Sequence, residues 1–319
     1  MKEFSILDAG GDIKSQKIKI NSTLHDIHQC IDKIKDELNK TSPKFNLLKN
    51  YCTQLVHRLP LPINNYNTFI LRSRPNFNGE VFETKTDISY NPNFSESKAS
   101  RFNLAGDSAF YGAVPLSTDT ANGALTTILE SLKEIFDDNH SIQEQFYTIG
   151  KWEMIKPIRL FALTFFDEAI NKSDEVKRIN NIFKKHLEDI CNKKDQLKCS
   201  RFYGFVSTFA GKFCEDEKEY LLTTAFFQAI QSYYGEEIGI LYSSAMSENT
   251  GLNIVLSKEI LDNNYLKLTD VVMYRALRNP DNPLNFELAP YKIGSADSNG
   301  IITFGKAIDD PLFFNSFRK

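Results

Sequence analysis

The sequence predicts an α+β protein, a mixed β core flanked by helices, with a helical extension at its N-terminus. Three observations point there. Apolar residues recur at helical spacing near the start of the chain and again further on, short apolar runs of strand length lie between those segments, and no internal repeat is visible.

The chain has 319 residues, 41% of them hydrophobic, with 25 Phe and 13 Tyr, which is enough to build a substantial core and argues against disorder. Three parts are expected: a helical extension over 1–60, a main domain over 61–260, and a C-terminal α/β extension over 261–319 packed on it. In the first part Leu24, Ile27, Ile31, Ile34 and Leu38 form one face of a helix, with Asn21 and Ser22 as caps. A second helix after Ser42-Pro43 places Leu48, Cys52 and Leu55 on one side and stops at Pro60 and Pro62. The apolar stripes of this hairpin must pack on something, and a second copy of the chain is one candidate.

From Tyr66 the period changes. Phe69-Ile70-Leu71 reads as a short strand running into Arg72, Ser73 and Arg74, with a turn at Pro75-Asn76. After a polar loop, Phe110 to Val114 reads as a strand and Ala124 to Phe136 as a helix carrying Leu125, Leu129, Leu132 and Phe136. Further on, Ile158 to Phe166 is a strand, Ser173 to Ile190 a charged helix, and Glu217 to Tyr234 a helix opened by acids. Ile238 to Tyr242 and Leu252 to Leu256 are strands. The tail from Lys258 adds a short helix and strands such as Ile301 to Phe304.

Composition narrows the function. The net charge of -3 and the lack of a basic cluster disfavour direct binding to nucleic acid. The apolar run at Ile158 to Phe166 is far short of the roughly 20 residues a membrane helix needs. Met1 to Gly11 lacks a signal-peptide core, so a cytoplasmic location is expected. Cys30, Cys52, Cys191, Cys199 and Cys214 form no CxxC pair and are an odd number, which fits a reducing compartment and idle thiols.

Chemistry-bearing residues gather at the ends of apolar runs in three segments. The first is Ser100-Arg101-Phe102-Asn103-Leu104-Ala105-Gly106, followed by Phe110-Tyr111-Gly112-Ala113. The second is Ala124-Leu125 leading to Glu130. The third is Ile238-Gly239-Ile240-Leu241-Tyr242-Ser243-Ser244, continuing to Gly251-Leu252-Asn253.

In that order, over roughly Asn67 to Leu256, these segments resemble the RES domain of bacterial toxin–antitoxin systems, named for an Arg, a Glu and a Ser. The Arg falls on Arg101, the Glu on Glu130 and the Ser on Ser244, while Arg72 resembles the family's earlier arginine and Tyr111 its strand tyrosine. Two departures stand out: an additional stretch from Ser117 to Gly123, and Ser243 where the family often has Pro. The resemblance implies an ADP-ribosyltransferase-like fold and breakdown of NAD+. It also implies a toxin restrained by an antitoxin partner with a helix-turn-helix domain.

The residue types suit that chemistry. Nicotinamide leaves NAD+ as a neutral molecule, so its departure needs no general acid, and one carboxylate can stabilise the cationic ribose. Glu130 suits that role. Pyrophosphate favours guanidinium groups, here Arg101, Arg72 and Arg74. Tyr111 suits stacking on the nicotinamide, Ser244 suits donation to a hydroxyl or phosphate, and Asn103 and Tyr242 complete the NAD+-binding candidates. NAD+ enters as substrate, and no other cofactor is expected.

Other patterns read as structural. His25, His28 and Cys30 do not share a helix face, so no metal is expected. Gly10-Gly11 lacks the setting of a phosphate loop. Ser207-Thr208-Phe209 followed by Glu215-Asp216-Glu217 is too tightly spaced to imitate another transferase signature. Two further functions remain open on sequence: transfer of ADP-ribose to an acceptor, and a non-catalytic module that senses NAD+.

Overall fold

The computed structural model describes residues 23–61, 63–93, 95, 97–115, 126–130, 144–214, 217–278 and 286–308. Helix α1 (Leu24–Leu38) starts at Thr23, whose side chain accepts from the Asp26 amide while Asp26 accepts from the Thr23 backbone, a reciprocal cap. The expected caps Asn21 and Ser22 lie outside the described residues. Helix α2 (Phe45–Val56) follows, and Ile27, Ile31, Ile34, Leu48, Cys52 and Leu55 are buried. The two-helix hairpin shares one hydrophobic cluster with the β core, and α2 packs against α7 (Tyr220–Tyr234).

Among the described residues ten strands form a single mixed sheet: β1 (Ile63–Tyr66), β2 (Phe69–Asn76), β3 (Ala109–Val114), β4 (Glu144–Met154), β5 (Ile158–Leu163), β6 (Ile238–Ser243), β7 (Leu252–Ser257), β8 (Leu266–Arg278), β9 (Phe286–Ala296) and β10 (Ile302–Phe304). Their spatial order is β1-β5-β6-β7-β3-β2-β4-β8-β9-β10. Every neighbouring pair is antiparallel except β5 and β6. A parallel pair requires a crossover. The segment between those strands supplies it as α4 (Asp167–Lys172), α5 (Asp174–Ile190), α6 (Lys193–Gly211) and α7, and α8 (Lys258–Asp262) follows β7.

The α+β expectation holds, with corrections to its elements. β2 runs through Pro75 and Asn76, and the chain turns only at Phe77–Gly79, where Asn78 takes a left-handed backbone conformation. α6 and β4 had no counterpart in the sequence reading. The acids expected to open the Glu217 helix form a 3-10 turn at Glu217–Glu219, with the α-helix starting at Tyr220. Of the helix expected from Ala124 to Phe136, residues 126–130 are described and helical, and are labelled α3.

The core around β5 is aromatic. Phe161 lies 4.9 Å from Tyr203 and 5.7 Å from Phe226, joining the sheet to α6 and α7. A smaller cluster joins Ile128 of α3 to Leu71, Tyr147, Ile149 and Ala276 on β2, β4 and β8. That contact seats α3 on the sheet.

Candidate functional site

Strand register explains why distant segments meet. Tyr242, Asn253, Ala113 and Leu71 are successive partners across β6, β7, β3 and β2. Paired residues point to the same face of a sheet, so this row shares a face with Tyr111, two residues from Ala113. α3 packs on Leu71 there, and Glu130 sits two residues beyond its anchor Ile128. Two further contacts fix the helix: Thr127 Oγ1 accepts from the Ser73 amide at 2.9 Å, and Gly251 lies so near that an added Cβ would stand 2.4 Å from Thr126 Oγ1.

Glu130 Oε1 accepts two hydrogen bonds, from Ser244 Oγ at 2.5 Å and from Asn253 Nδ2 at 2.7 Å. Ser244 and Asn253 are fully buried, whereas Glu130 is partly exposed. A serine hydroxyl has one proton. Ser244 gives its proton to Glu130 and accepts from the Ser247 amide at 3.2 Å. The donation that the sequence assigns to a substrate hydroxyl or phosphate is directed to Glu130 in this structure.

Arg101 reaches the same region on a tightly held turn. Ser100 and Asn103 pair with each other through their backbones, and Asn103 Nδ2 donates to the carbonyls of Lys98, Leu104 and Asp107 at 3.2, 3.0 and 3.1 Å. The Tyr111 hydroxyl donates to Asn103 Oδ1 at 2.8 Å and accepts from the Phe102 amide at 2.9 Å. Thr223 on α7 donates its hydroxyl to the Arg101 carbonyl. Asn103 and Tyr111, read from sequence as NAD+ contacts, use their polar atoms here to build the turn that carries Arg101.

The Arg101 guanidinium is itself buried, at 9% exposure. Its Nη1 donates to the carbonyls of Phe209 and Lys212 at 2.9 and 2.8 Å and touches Cys214 Sγ at 3.6 Å, and its carbon lies 5.8 Å from the Tyr220 ring centre. Among the described residues its other N–H groups have no acceptor. Burial opposes the cation, but coulombic attraction to Tyr242, Cys214, Glu130 and Tyr220 in their ionised forms outweighs it and holds the pKa above the ordinary arginine value. Tyr242, packed 4.9 Å from Phe102, is buried, which raises its pKa well above the usual phenol value, and the Glu130 charge adds to that rise. Burial also raises the pKa of Tyr111.

Arg72 and Arg74 alternate with Leu71 and Ser73 along β2, so they project from the opposite face. Arg72 donates to the carbonyls of Ser89 and Tyr111 at 3.1 and 2.6 Å, with its guanidinium over Phe110. Arg74 donates to the Asp87 carbonyl at 2.7 Å over Phe82. Both brace the loop on that face, and the sheet separates them from Glu130. A groove between α1 and α2, lined by Cys30, Lys33, Tyr51 and Arg58, shares no residue with the Glu130 cluster.

Residues passed over in sequence complete the site. Asn253 stood within the Gly251-Leu252-Asn253 segment, so a signal for it existed. Tyr220 and Thr223 had none, because they meet Arg101 only through the packing of α7. Ser207, Thr208 and Phe209 lie within α6, and Ser207 Oγ accepts from the Phe165 amide at 3.2 Å, so no strand of another transferase class is present there. Gly10-Gly11, Glu215, Asp216 and the Ser117 to Gly123 stretch lie outside the described residues.

The site thus combines one oriented carboxylate with one buried guanidinium, framed by tyrosines. Comparison with protein-family models found no match, and comparison with the curated proteins found none either. Among the described residues no helix is long and apolar enough to cross a membrane.

Proposed function

We propose that this chain is a RES-like, ADP-ribosyltransferase-like enzyme that cleaves the bond between nicotinamide and ribose in NAD+, with water as the acceptor. NAD+ and water give nicotinamide, ADP-ribose and a proton. The observation that carries the proposal is the Glu130 carboxylate, held by two neutral donors, with the buried Arg101 cation within electrostatic reach of it. Departure of neutral nicotinamide leaves positive charge on the ribose, and a carboxylate already fixed in place stabilises that charge without reorganising. Arg101 supplies the opposite charge for the pyrophosphate.

The order of the Arg101, Tyr111, Glu130 and Ser244 segments supports the same reading through the RES resemblance. With it come three further proposals: a cytoplasmic location, depletion of cellular NAD+, and restraint by an antitoxin carrying a helix-turn-helix domain.

The test is to incubate purified protein with NAD+ and follow nicotinamide and ADP-ribose together. Equal release of both supports hydrolysis. Nicotinamide with ADP-ribose attached to protein or another acceptor replaces hydrolysis by transfer, and bound, intact NAD+ after long incubation replaces catalysis by sensing.

A further inference from the structure

We infer that Asn253 is a positioning residue for Glu130, aiming one carboxylate oxygen at the ligand by holding the other, an inference that rests on the function proposed above. Asn253 lies on β7 between Leu252 and Ile254, at 3% exposure. An amide buried in an apolar strand is costly unless it is hydrogen bonded, so packing alone favours an apolar side chain there. The partner that accounts for the amide is Glu130 Oε1, at 2.7 Å.

The geometry also explains why the residue is an asparagine. Ser244 and Asn253 both donate to Oε1, and no described residue donates to Oε2. Two bonds on one oxygen fix the carboxylate plane and leave the second oxygen to accept from a ligand. Both donors are neutral, so the carboxylate keeps its full charge for a cationic ribose. A lysine in the same place would spend that charge on an ion pair. Register delivers the arrangement, because Asn253 stands directly opposite Tyr242, two residues before Ser244.

The experiment compares wild type, N253A and N253D in steady-state release of nicotinamide from NAD+, alongside thermal melting. N253D keeps the shape of the side chain and replaces its donor with an acceptor. Both variants are expected to lose about 10–100-fold in kcat, as is typical when a supporting hydrogen bond to a reactive group is removed, with KM within about threefold of wild type. The double variant E130Q/N253D lets an introduced amide donate to an introduced carboxylate. Its melting temperature should recover relative to N253D while its activity does not.

Unchanged kcat in an active background, or a rise in KM alone, overturns the positioning role and leaves the proposed reaction standing. Additive melting shifts in the double variant overturn it independently of activity. A silent wild type overturns the proposed reaction, and this role with it.

Discussion

Ser244 donates its only proton to Oε1 of Glu130 across 2.5 Å, joining the end of β6 to a helix 114 residues earlier in the chain. The bond turns two separate sequence features into one device, a buried hydroxyl that orients a partly exposed carboxylate. Glu130→Gln keeps the size of the side chain and removes its charge. Nicotinamide release is expected to fall at least about 100-fold, with circular dichroism and melting temperature close to wild type. Undiminished release would remove Glu130 from the reaction.

Arg101 also holds the fold together, since its Nη1 caps the carbonyls of Phe209 and Lys212 where α6 ends. Arg101→Ala leaves those acceptors without their charged donor, at an expected cost of about 1–3 kcal/mol in a urea titration. Arg101→Lys should recover under half of that, because a single ammonium cannot reproduce the planar donor stacked by Tyr220. Full recovery by lysine would show that charge alone matters here.

Gly251 tests whether the placement of α3 matters to the chemistry. A methyl group at this position would stand 2.4 Å from Thr126 Oγ1 and 2.8 Å from Ser247 Oγ, so it pushes on the side chain of buried Thr126 in the helix that carries Glu130. Gly251→Ala is expected to lower kcat about 10-fold or more while the chain stays folded, since small displacements of a reacting group are costly. Kinetics and circular dichroism on the same preparation check this, and normal turnover would show that α3 has slack.

The cap of α1 predicts a pH dependence of stability. Asp26 accepts from the Thr23 backbone at 2.7 Å and from the Thr23 hydroxyl at 2.8 Å, which holds its pKa below the ordinary 3.8. A carboxylate whose pKa is depressed by folding adds stability above its unfolded value and loses it as pH falls through the lower, folded value. Asp26→Asn should therefore melt lower than wild type at neutral pH, and the gap should close below about pH 3.8. A gap of constant size down to about pH 2 would show that the charged form contributes nothing.

Some of this architecture was legible in the sequence for a physical reason. α1 shows its period because one face is buried and the other is wet, so Ile27, Ile31 and Ile34 stand out. β4 is harder to read: its burial alternates at both ends, but four consecutive buried residues, Tyr147 to Gly150, break the period in the middle. α6 was hidden for a similar reason, since its buried set includes Asp195, Lys198, Ser207 and Gly211 along with apolar residues.

At the site, the sequence by itself determined which residue types were present and in what order: Arg101 before Tyr111, then Glu130, then Ser244 and Asn253. Local patterning sufficed to place most of them at the ends of strands and helices. Only the tertiary structure decided their duties. Cross-strand register put Arg72 and Arg74 on one face of the sheet and Tyr242 and Asn253 on the other, packing of Ile128 on Leu71 brought Glu130 to that second face, and hydrogen bonding engaged Ser244, Tyr111 and Asn103 with neighbours within the fold. A side chain's chemistry is carried by its own atoms, but its partner is set by packing between segments far apart in the chain.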